Sequence, residues 1–412
     1  MTILIATHRI GYGGKGFYYL NSPWNGIYEL NNKYNGGFFT YNGKLSENFT
    51  LFSNFGVAKK DYGYISGTPN TKPENFFAKQ DFADHSEDIV QGELRGTLNL
   101  FDDKLRILAG AQGKNTKIKV KEKSRADWST KESSASPFAQ AEFKPIDHIL
   151  LIAGLRNDSF KTEDKKMSRT SPNFGISIFP FANTDYDYTT IWSSYSHAFR
   201  TPSFQQRFLP KMMGGNPNLK PEIAKGWEAG VKQRLSDWGS VEFSYFKTDY
   251  KEMIRLINLG GMNFLFKNED QAVHKGFELS TEIYPTNWLG LIASYSRTKR
   301  ENSNGVRLLG QPDTMLKYGF VISDIPSLDG LSLSVFAKNL SDFKLANGST
   351  HPSNKKTVMD ARMAYKFQAG KFVIEPFAQI ENLTDKTYYN SSPVGIAQSR
   401  AWKVGANMRY NF

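Results

Sequence analysis

The 412-residue sequence contains no cysteine, so it offers neither a disulfide framework nor a thiolate metal site. It also lacks any run approaching the roughly 18–20 apolar residues of a membrane-spanning helix, and its mean hydropathy is −0.49. Residues 1–9 hold only a short apolar run, whereas a secretory signal needs a longer one followed by a cleavage site. These absences exclude a disulfide scaffold and a helical membrane protein.

The usual catalytic and cofactor patterns are missing as well. None of the six histidines belongs to a His-x-x-x-His pair, and there is no nucleophile elbow, phosphate loop or dinucleotide fingerprint. The glycine-rich segment 11–16 has no strand-to-helix context, so we expect a flexible loop there. We therefore expect no catalytic residue, no cofactor and no protein-held metal, and we predict that the chain is not an enzyme.

The charge balance is basic, with 52 Lys and Arg against 40 Asp and Glu, a net charge of +12. Such an excess is compatible with an anionic lipid surface, an anionic ligand or an ordinary solvated surface. No segment interleaves basic residues with stacking aromatics as a nucleic-acid groove would. We expect no nucleic-acid partner.

Alternation of apolar and polar residues is the dominant positive signal. In the last segment the even positions Trp402, Val404, Met408 and Tyr410 interleave with Lys403 and other polar or small residues. Period two puts alternate side chains on opposite faces of a strand. With 31 Phe and 20 Tyr in the chain, this pattern predicts an all-β protein in which these four residues face lipid.

Short turn signals alternate with long polar stretches along the chain. The turns include Asp102-Asp103, Pro145-Ile146-Asp147 and Ala369-Gly370, and the long stretches include 60–86, 114–135, 199–221 and 341–356. Short turns on one side and long loops on the other are typical of an outer-membrane barrel. We predict a transmembrane antiparallel β-barrel of about 17–18 strands, counted at about 10 residues a strand, that forms one domain over residues 1–412. A soluble array such as a propeller is the alternative, but no residue-level repeat supports it.

Four motifs and a terminal aromatic follow one another in a characteristic order. They are Phe199-Arg200-x-Pro202, Asn216-Pro217-x-Leu219-x-Pro221-Glu222, Gly276-x-Glu278, Asn382-Leu383-x-Asp385 and the final Phe412. In this order and spacing they resemble the barrel motifs of TonB-dependent outer-membrane receptors. The resemblance covers residues 195–412, whereas residues 1–190 agree by pattern alone.

The resemblance implies a location in the outer membrane of a Gram-negative bacterium and a family barrel of about 22 strands around a plug. No signal, TonB-contacting segment or plug is recognisable, so we expect the barrel portion of a receptor, truncated at its N-terminus. TonB would act only through a plug domain that is absent here. The motif residues are expected to be structural, and Phe412 is expected to be read by the outer-membrane assembly machinery.

The function implied is TonB-energised uptake of a scarce nutrient, with a ferric siderophore ranked before haem or cobalamin. Candidate ligand-loop residues are Arg207, Lys211 and His351; the segment between the first two motifs has no histidine, which argues against the usual haem arrangement. Lysines such as Lys117, Lys119 and Lys121 would attract either an anionic iron chelate or the phosphates of lipopolysaccharide. The alternatives are a plugless, porin-like diffusion channel and a non-functional receptor fragment.

Overall fold

Antiparallel strands make up nearly all regular structure in the computed structural model. The structure describes residues 2–15, 28–66, 84–122, 125–163, 165–182, 188–208, 213–260, 263–344, 350–351, 353–388 and 399–410. Eighteen of the strands within these ranges have ten or more residues, which agrees with the predicted 17–18. The all-β prediction is confirmed, and no helix in the described ranges is long and apolar enough to cross a membrane.

The elements are numbered in chain order. The strands of the first half are β1 (Thr2–Lys15), β2 (Tyr28–Lys44), β3 (Phe49–Ser66), β4 (Asp84–Leu100), β5 (Leu105–Glu122), β6 (Arg125–Ile146), β7 (Ile149–Lys161), β8 (Lys166–Ile178) and β9 (Thr189–Arg200). A five-residue helix, α1 (Phe204–Phe208), and a short strand, β10 (Met213–Gly214), follow. The remaining strands are β11 (Glu222–Arg234), β12 (Gly239–Gly260), β13 (Asn263–Thr286), β14 (Leu289–Asn302), β15 (Thr314–Ile325), β16 (Leu328–Ser341), β17 (Lys356–Tyr365), β18 (Phe367–Ala369), β19 (Phe372–Glu381) and β20 (Ala401–Tyr410).

The chain divides into two compact units. Unit 1 comprises residues 1–176 and 196–201, and unit 2 comprises residues 177–195 and 202–412. In unit 1, β1 to β7 pair consecutively and antiparallel. In unit 2, β11 to β17 pair in the same way, and β19 then joins β17 to β20. Consecutive antiparallel strands can be joined by short turns, and in this chain short turns alternate with longer connections, as the sequence predicted.

Each unit has one apolar and one polar sheet face. In unit 1, Phe55, Leu94 and Leu155 lie on the apolar face and are 51%, 56% and 53% exposed. On the opposite face, Gln112 Nε2 donates to Glu93 Oε2 (2.6 Å) and Arg156 NH2 donates to Gln112 Oε1 (2.9 Å). An exposed apolar face beside a hydrogen-bonded polar face is the arrangement of a sheet that contacts lipid on one side.

The apolar face of unit 2 is ordered in rows across neighbouring strands. One row consists of Val231, Phe243, Leu279, Tyr295 and Leu316, each directly opposite the next. On β20, Trp402, Val404 and Met408 are 69%, 83% and 73% exposed, on the face opposite Lys403 and Asn407. The side chain of Tyr410 and all of Phe412 lie outside the described residues.

Two loop predictions were wrong. Segment 11–16 was expected to be a flexible loop, but β1 runs through Lys15 and pairs residue by residue with β2. Segment 114–135 was expected to be a polar loop, but β5 and β6 continue until only residues 123–124 separate them. Ile118 and Val120 are 2% and 1% exposed, and they lie on the face of β5 opposite to Ala109 and Ala111. The apolar positions thus change face along this strand, and the lysines between them hide the pattern.

The short turns match their predicted positions. At the β4–β5 turn, Phe101, Asp102 and Asp103 have φ values of 56°, 53° and 64°, and Lys104 N donates to Phe101 O (3.1 Å). Aspartate tolerates this left-handed conformation better than most residues. Gly370, with φ of 60°, fills the same role between β18 and β19.

A charge placed on the apolar face tests the assignment of the faces. We expect Val404→Arg to destabilise the protein by about 2–4 kcal/mol, the cost of an arginine near the middle of a lipid-facing strand. Asn407→Arg on the opposite face of β20 is the matched control and should cost little. The measurement is urea unfolding of both variants in lipid vesicles, and equal stability of the two variants would contradict the assignment.

Candidate functional site

The long connections of unit 2 lie at one end of its strands, which we call the connection end. They comprise residues 201–221 before β11, residues 303–313 between β14 and β15, residues 342–355 between β16 and β17, and the connection that begins at residue 382 after β19. Side-chain hydrogen bonds and ion pairs hold the described parts of these segments in place. The connection end is therefore a built surface and the candidate ligand-binding site.

The first segment is organised by α1 and a capping pair. Ser203 N donates to Gln206 Oε1 (2.9 Å) and Gln206 N donates to Ser203 Oγ (3.3 Å), the reciprocal arrangement of a capping box. Arg207 is 8% exposed, its guanidinium carbon lies 4.8 Å from the centre of the Phe208 ring, and burial lowers its pKa. The candidate Arg207 thus packs inside the segment, and the candidate Lys211 lies outside the described residues.

The second motif ties this segment to the sheet. Asn216 Nδ2 donates to Phe266 O on β13 (2.8 Å), and Asn216 Oδ1 accepts from Asn218 N (3.0 Å). Leu219 is 3% exposed, and Glu222 Oε2 accepts from Ile254 N on β12 (2.9 Å). Asn216 and Glu222 bond to backbone in these contacts, so the motif shapes the loop and the start of β11.

Segments 303–313 and 342–355 are cross-braced. Asp313 receives Arg307 NH2 at 2.8 Å and Arg300 NH1 at 3.4 Å, and Gly310 N donates to Lys344 O (3.0 Å). The Arg307 guanidinium also donates to Asp342 O. Burial raises the pKa of Asp313, while both arginines act in the opposite direction. These contacts join two connections that are about 35 residues apart in sequence.

The candidate His351 is part of this brace. Its ring stacks on Phe343 with the ring centres 3.7 Å apart and an interplanar angle of 5°, and it is 3% exposed. Ser353 N donates to His351 Nδ1 (3.1 Å), so that nitrogen is an acceptor and carries no proton. Burial, assisted by the positive charge of Lys356, lowers the pKa of His351. The ring is a packing element of the loop.

The late motif builds the turn after β19. Asn382 and Asp385 have φ values of 52° and 51°, a conformation that Asn and Asp adopt more readily than other non-glycine residues. Asn382 Oδ1 accepts from Lys386 N (2.9 Å), and Asp385 Oδ1 accepts from Arg400 N just before β20 (2.8 Å). The motif residues are those that the turn requires.

The remaining predicted residues have equally local positions. Phe199 and Arg200 end β9, and Pro202 is buried just before α1. Gly276 lies where an added Cβ would be 2.0 Å from Arg297 O, so only glycine permits the close approach of β13 and β14. Glu278 is exposed on the polar face opposite Ser296.

A pair of lysines on the polar face below the connection end was not singled out from the sequence. Lys317 on β15 lies directly opposite Lys338 on β16. Lys338 Nζ is 5.3 Å from the centre of the Tyr388 ring, within the range of a cation–π interaction. Their only sequence signal was a lysine at a polar position of each alternating strand, a signal shared with many other lysines.

The lysines that the sequence suggested as a basic mouth lie elsewhere. Lys117, Lys119 and Lys121 share the face of β5 that carries Ala109 and Ala111, the apolar face of unit 1. On the polar face of unit 1, a cavity of about 550 Å³ is lined by side chains that include Arg95, Arg106 and Glu142. The described residues contain no group of three or more His, Asp or Glu side chains placed to hold a metal ion.

Comparison with known proteins places these features in a family. The model of the TonB dependent receptor-like beta-barrel matches residues 5–383. The chain belongs to this family of outer-membrane β-barrels, and the resemblance seen in its motifs is confirmed. The family and its structural neighbours are receptors and transporters.

Individual relatives differ in the ligand that their names give. The chain is 24% identical to the vitamin B12 transporter BtuB of Vibrio vulnificus, covering 68% of this chain and 43% of that protein. It is 27% identical to the hemin receptor of Yersinia pestis, covering 64% and 40%. It thus spans about two fifths of the length of both relatives.

Solved structures show the same fold at lower sequence identity. The FrpB iron transporter of Neisseria meningitidis superposes with a TM-score of 0.68 at 14% identity, over 98% of this chain and 68% of that one. The ferric preacinetobactin receptor BauA of Acinetobacter baumannii superposes with a TM-score of 0.65 at 16% identity, over 96% and 65%.

The packed His351 ring predicts a pH dependence of segment 342–355. Because the pKa of folded His351 lies below its ordinary value of about 6.5, the folded loop binds fewer protons than the unfolded loop. Its contribution to stability is complete above that value and is lost as the pH falls below it. We expect the amides of Phe343 and His351 to lose hydrogen-exchange protection between pH 7.5 and 5.5, after correction for intrinsic exchange rates.

The control is His351→Asn, which keeps an acceptor for Ser353 N but does not titrate in this range. Its protection should be the same at both pH values. Unchanged protection in the parent protein would show that the ring is not held neutral by the loop.

Proposed function

We propose that the chain forms the membrane wall and ligand-facing loops of a receptor that imports a ferric siderophore across the outer membrane. The observation that carries the proposal is the Lys317–Lys338 pair with Tyr388, on the polar face directly below the braced connections. Two cations beside an aromatic ring suit an anionic, aromatic iron chelate better than a neutral ligand.

The histidines support the same choice of ligand. A haem receptor of the usual kind offers an accessible imidazole to iron. His351 instead stacks on Phe343, and the Nε2 atom of His274 is buried while its ring packs on Tyr250 with the centres 4.6 Å apart. Several relatives are named for haem uptake, yet these two rings are engaged in packing.

The proposal assigns energy coupling to a plug domain and not to these strands. TonB would act through that domain, and the outer-membrane assembly machinery and lipopolysaccharide would contact the barrel itself. Under this proposal these strands and loops bind ligand but do not drive its transport. An open, porin-like channel would instead conduct ions without any ligand.

Ligand binding tests the proposal. Quenching of tryptophan fluorescence would be titrated with a tricatecholate ferric chelate, a neutral ferric hydroxamate, hemin and cyanocobalamin. We expect the anionic chelate to bind most tightly. Lys317→Gln/Lys338→Gln should weaken its binding roughly tenfold or more, since one charge-assisted hydrogen bond contributes about 1.5 kcal/mol.

The matched control is Lys403→Gln, which removes a polar-face lysine that is paired with Glu381, and it should leave the affinity unchanged. Tighter binding of hemin, with an absorption spectrum of histidine-ligated iron, would overturn the choice of ligand. Ion conductance without binding of any of the four compounds would favour the diffusion channel.

A further inference from the structure

Three lysines stand side by side on the apolar face of unit 2. Lys247 on β12 is directly opposite Lys275 on β13, which is directly opposite Lys299 on β14. Neighbouring strands lie about 4.8 Å apart, so the three Cα atoms span about 10 Å. Trp227 on β11 extends the same row. We call Lys247, Lys275 and Lys299 the lysine row.

The lysine row concentrates positive charge that its neighbours offset only in part. Like charges directly opposite each other destabilise a sheet. Asp249 lies 3.2 Å from Lys247, and Glu301 lies 3.8 Å from Lys275 and also contacts Lys299. Lys225 and Arg297 are exposed on the same face, which makes five cations against two carboxylates. The local excess of charge therefore favours an anionic partner.

The row borders the lipid-facing part of the sheet. The next row on this face contains Tyr245 and Phe277, and the row after it contains Phe243 and Tyr295. These rings touch one another, with centres 6.1 Å apart for Phe243 and Phe277 and 5.8 Å apart for Phe277 and Tyr295. Aromatic girdles mark the boundary between hydrocarbon and headgroups in membrane barrels.

The length of β13 places the row at the level of the headgroups. Thr286, the end of the strand at its short turn, is eleven positions beyond Lys275. At about 3.3 Å per residue and a tilt of about 45°, this distance rises roughly 26 Å, close to the roughly 25 Å apolar band of a membrane barrel. The row lies towards the connection end, which is the extracellular side if short turns are periplasmic.

Unit 1 has a comparable row that contains a carboxylate. Lys59, Asp88, Lys117 and Lys131 are aligned across β3 to β6 on its apolar face. Asp88 separates Lys59 from Lys117 and also lies 3.9 Å from Lys119. A carboxylate therefore interrupts this row, whereas the row in unit 2 is uninterrupted. The two rows therefore differ in the continuity of their lysines and not in the excess of charge around them.

We propose that the lysine row binds the phosphate groups of a diphosphorylated glycolipid headgroup in the outer leaflet. A line of three ammonium groups about 10 Å long can meet two separated phosphates, whereas a phospholipid with a single phosphate would engage only part of it. The aromatic rows beneath would contact the acyl chains of the same lipid. The proposal depends on the membrane placement of the sheet and is independent of the imported ligand.

Native mass spectrometry of the whole chain in detergent tests this site. The probes are a diphosphorylated lipid A, its monophosphorylated form, phosphatidylglycerol and inorganic phosphate. The test variant is Lys247→Gln/Lys275→Gln/Lys299→Gln, and the control is Lys59→Gln/Lys117→Gln/Lys131→Gln, which removes the same charge from unit 1. Heat-modifiable migration in electrophoresis verifies that each variant is folded.

We expect the diphosphorylated lipid to bind most tightly and the test variant to bind it roughly 100-fold more weakly, since each lysine near an anionic lipid surface contributes about a fivefold factor. The control should change the affinity by less than about threefold, because Asp88 interrupts its row and leaves no line of three adjacent lysines. Equal losses in both variants, or equal binding of phosphatidylglycerol or inorganic phosphate, would overturn the proposal. Because the readout is lipid binding, this proposal can fail while siderophore binding is confirmed. Siderophore binding can likewise fail while lipid binding is confirmed.

Discussion

The fold depends on satisfying every backbone N–H and C=O group without help from water. Inside lipid an unpaired group costs several kcal/mol, so a strand is tolerated only where both of its neighbours pair with it. Inner strands of both units, such as β4 and β13, meet this demand residue by residue. Once pairing is imposed, successive side chains must point to opposite faces. The rows of exposed aromatic and aliphatic residues and the hydrogen-bonded polar ladders both follow from this single constraint.

The connections obey the same rule by different means. Beyond the sheet the chain has no neighbouring strand, and side chains of Asn, Asp and Arg take over the pairing of the backbone. Asn216 bonds to β13, Asn382 bonds to Lys386 N, and the Arg307 guanidinium bonds to Asp342 O. This explains why the family motifs in this chain are rich in Asn, Asp, Pro and Gly: they solve local backbone problems. The residues that recognise a ligand need not belong to them.

Sequence reasoning succeeded where the physical signal is local. Alternation identified the faces of β20, and Asp or Gly marked the turns at residues 102–103 and 370. It failed where polar strands extend past the membrane, as at residues 114–135, because lysines on one face mask the buried Ile118 and Val120. A single sequence does not indicate which residues will meet in the connections. The ion pairs of Asp313 and the stacking of His351 on Phe343 are two such contacts. Arg207 and His351 were reasonable ligand candidates by residue type, yet both are buried.

The register of the strands brings together basic residues that are far apart in the sequence. It does so on both faces of the sheet. Lys317 and Lys338 meet on the polar face, while Lys247, Lys275 and Lys299 align on the apolar face. A one-residue slip of either hairpin would move these lysines to the opposite face and break both groups. On β14, the adjacent Lys299 and Arg300 point to different faces, the first towards the lysine row and the second towards Asp313 in the braced connections. The hairpin register keeps apolar side chains in lipid. The same register therefore separates the charges near the lipid headgroups from the charges that hold the ligand-facing connections together.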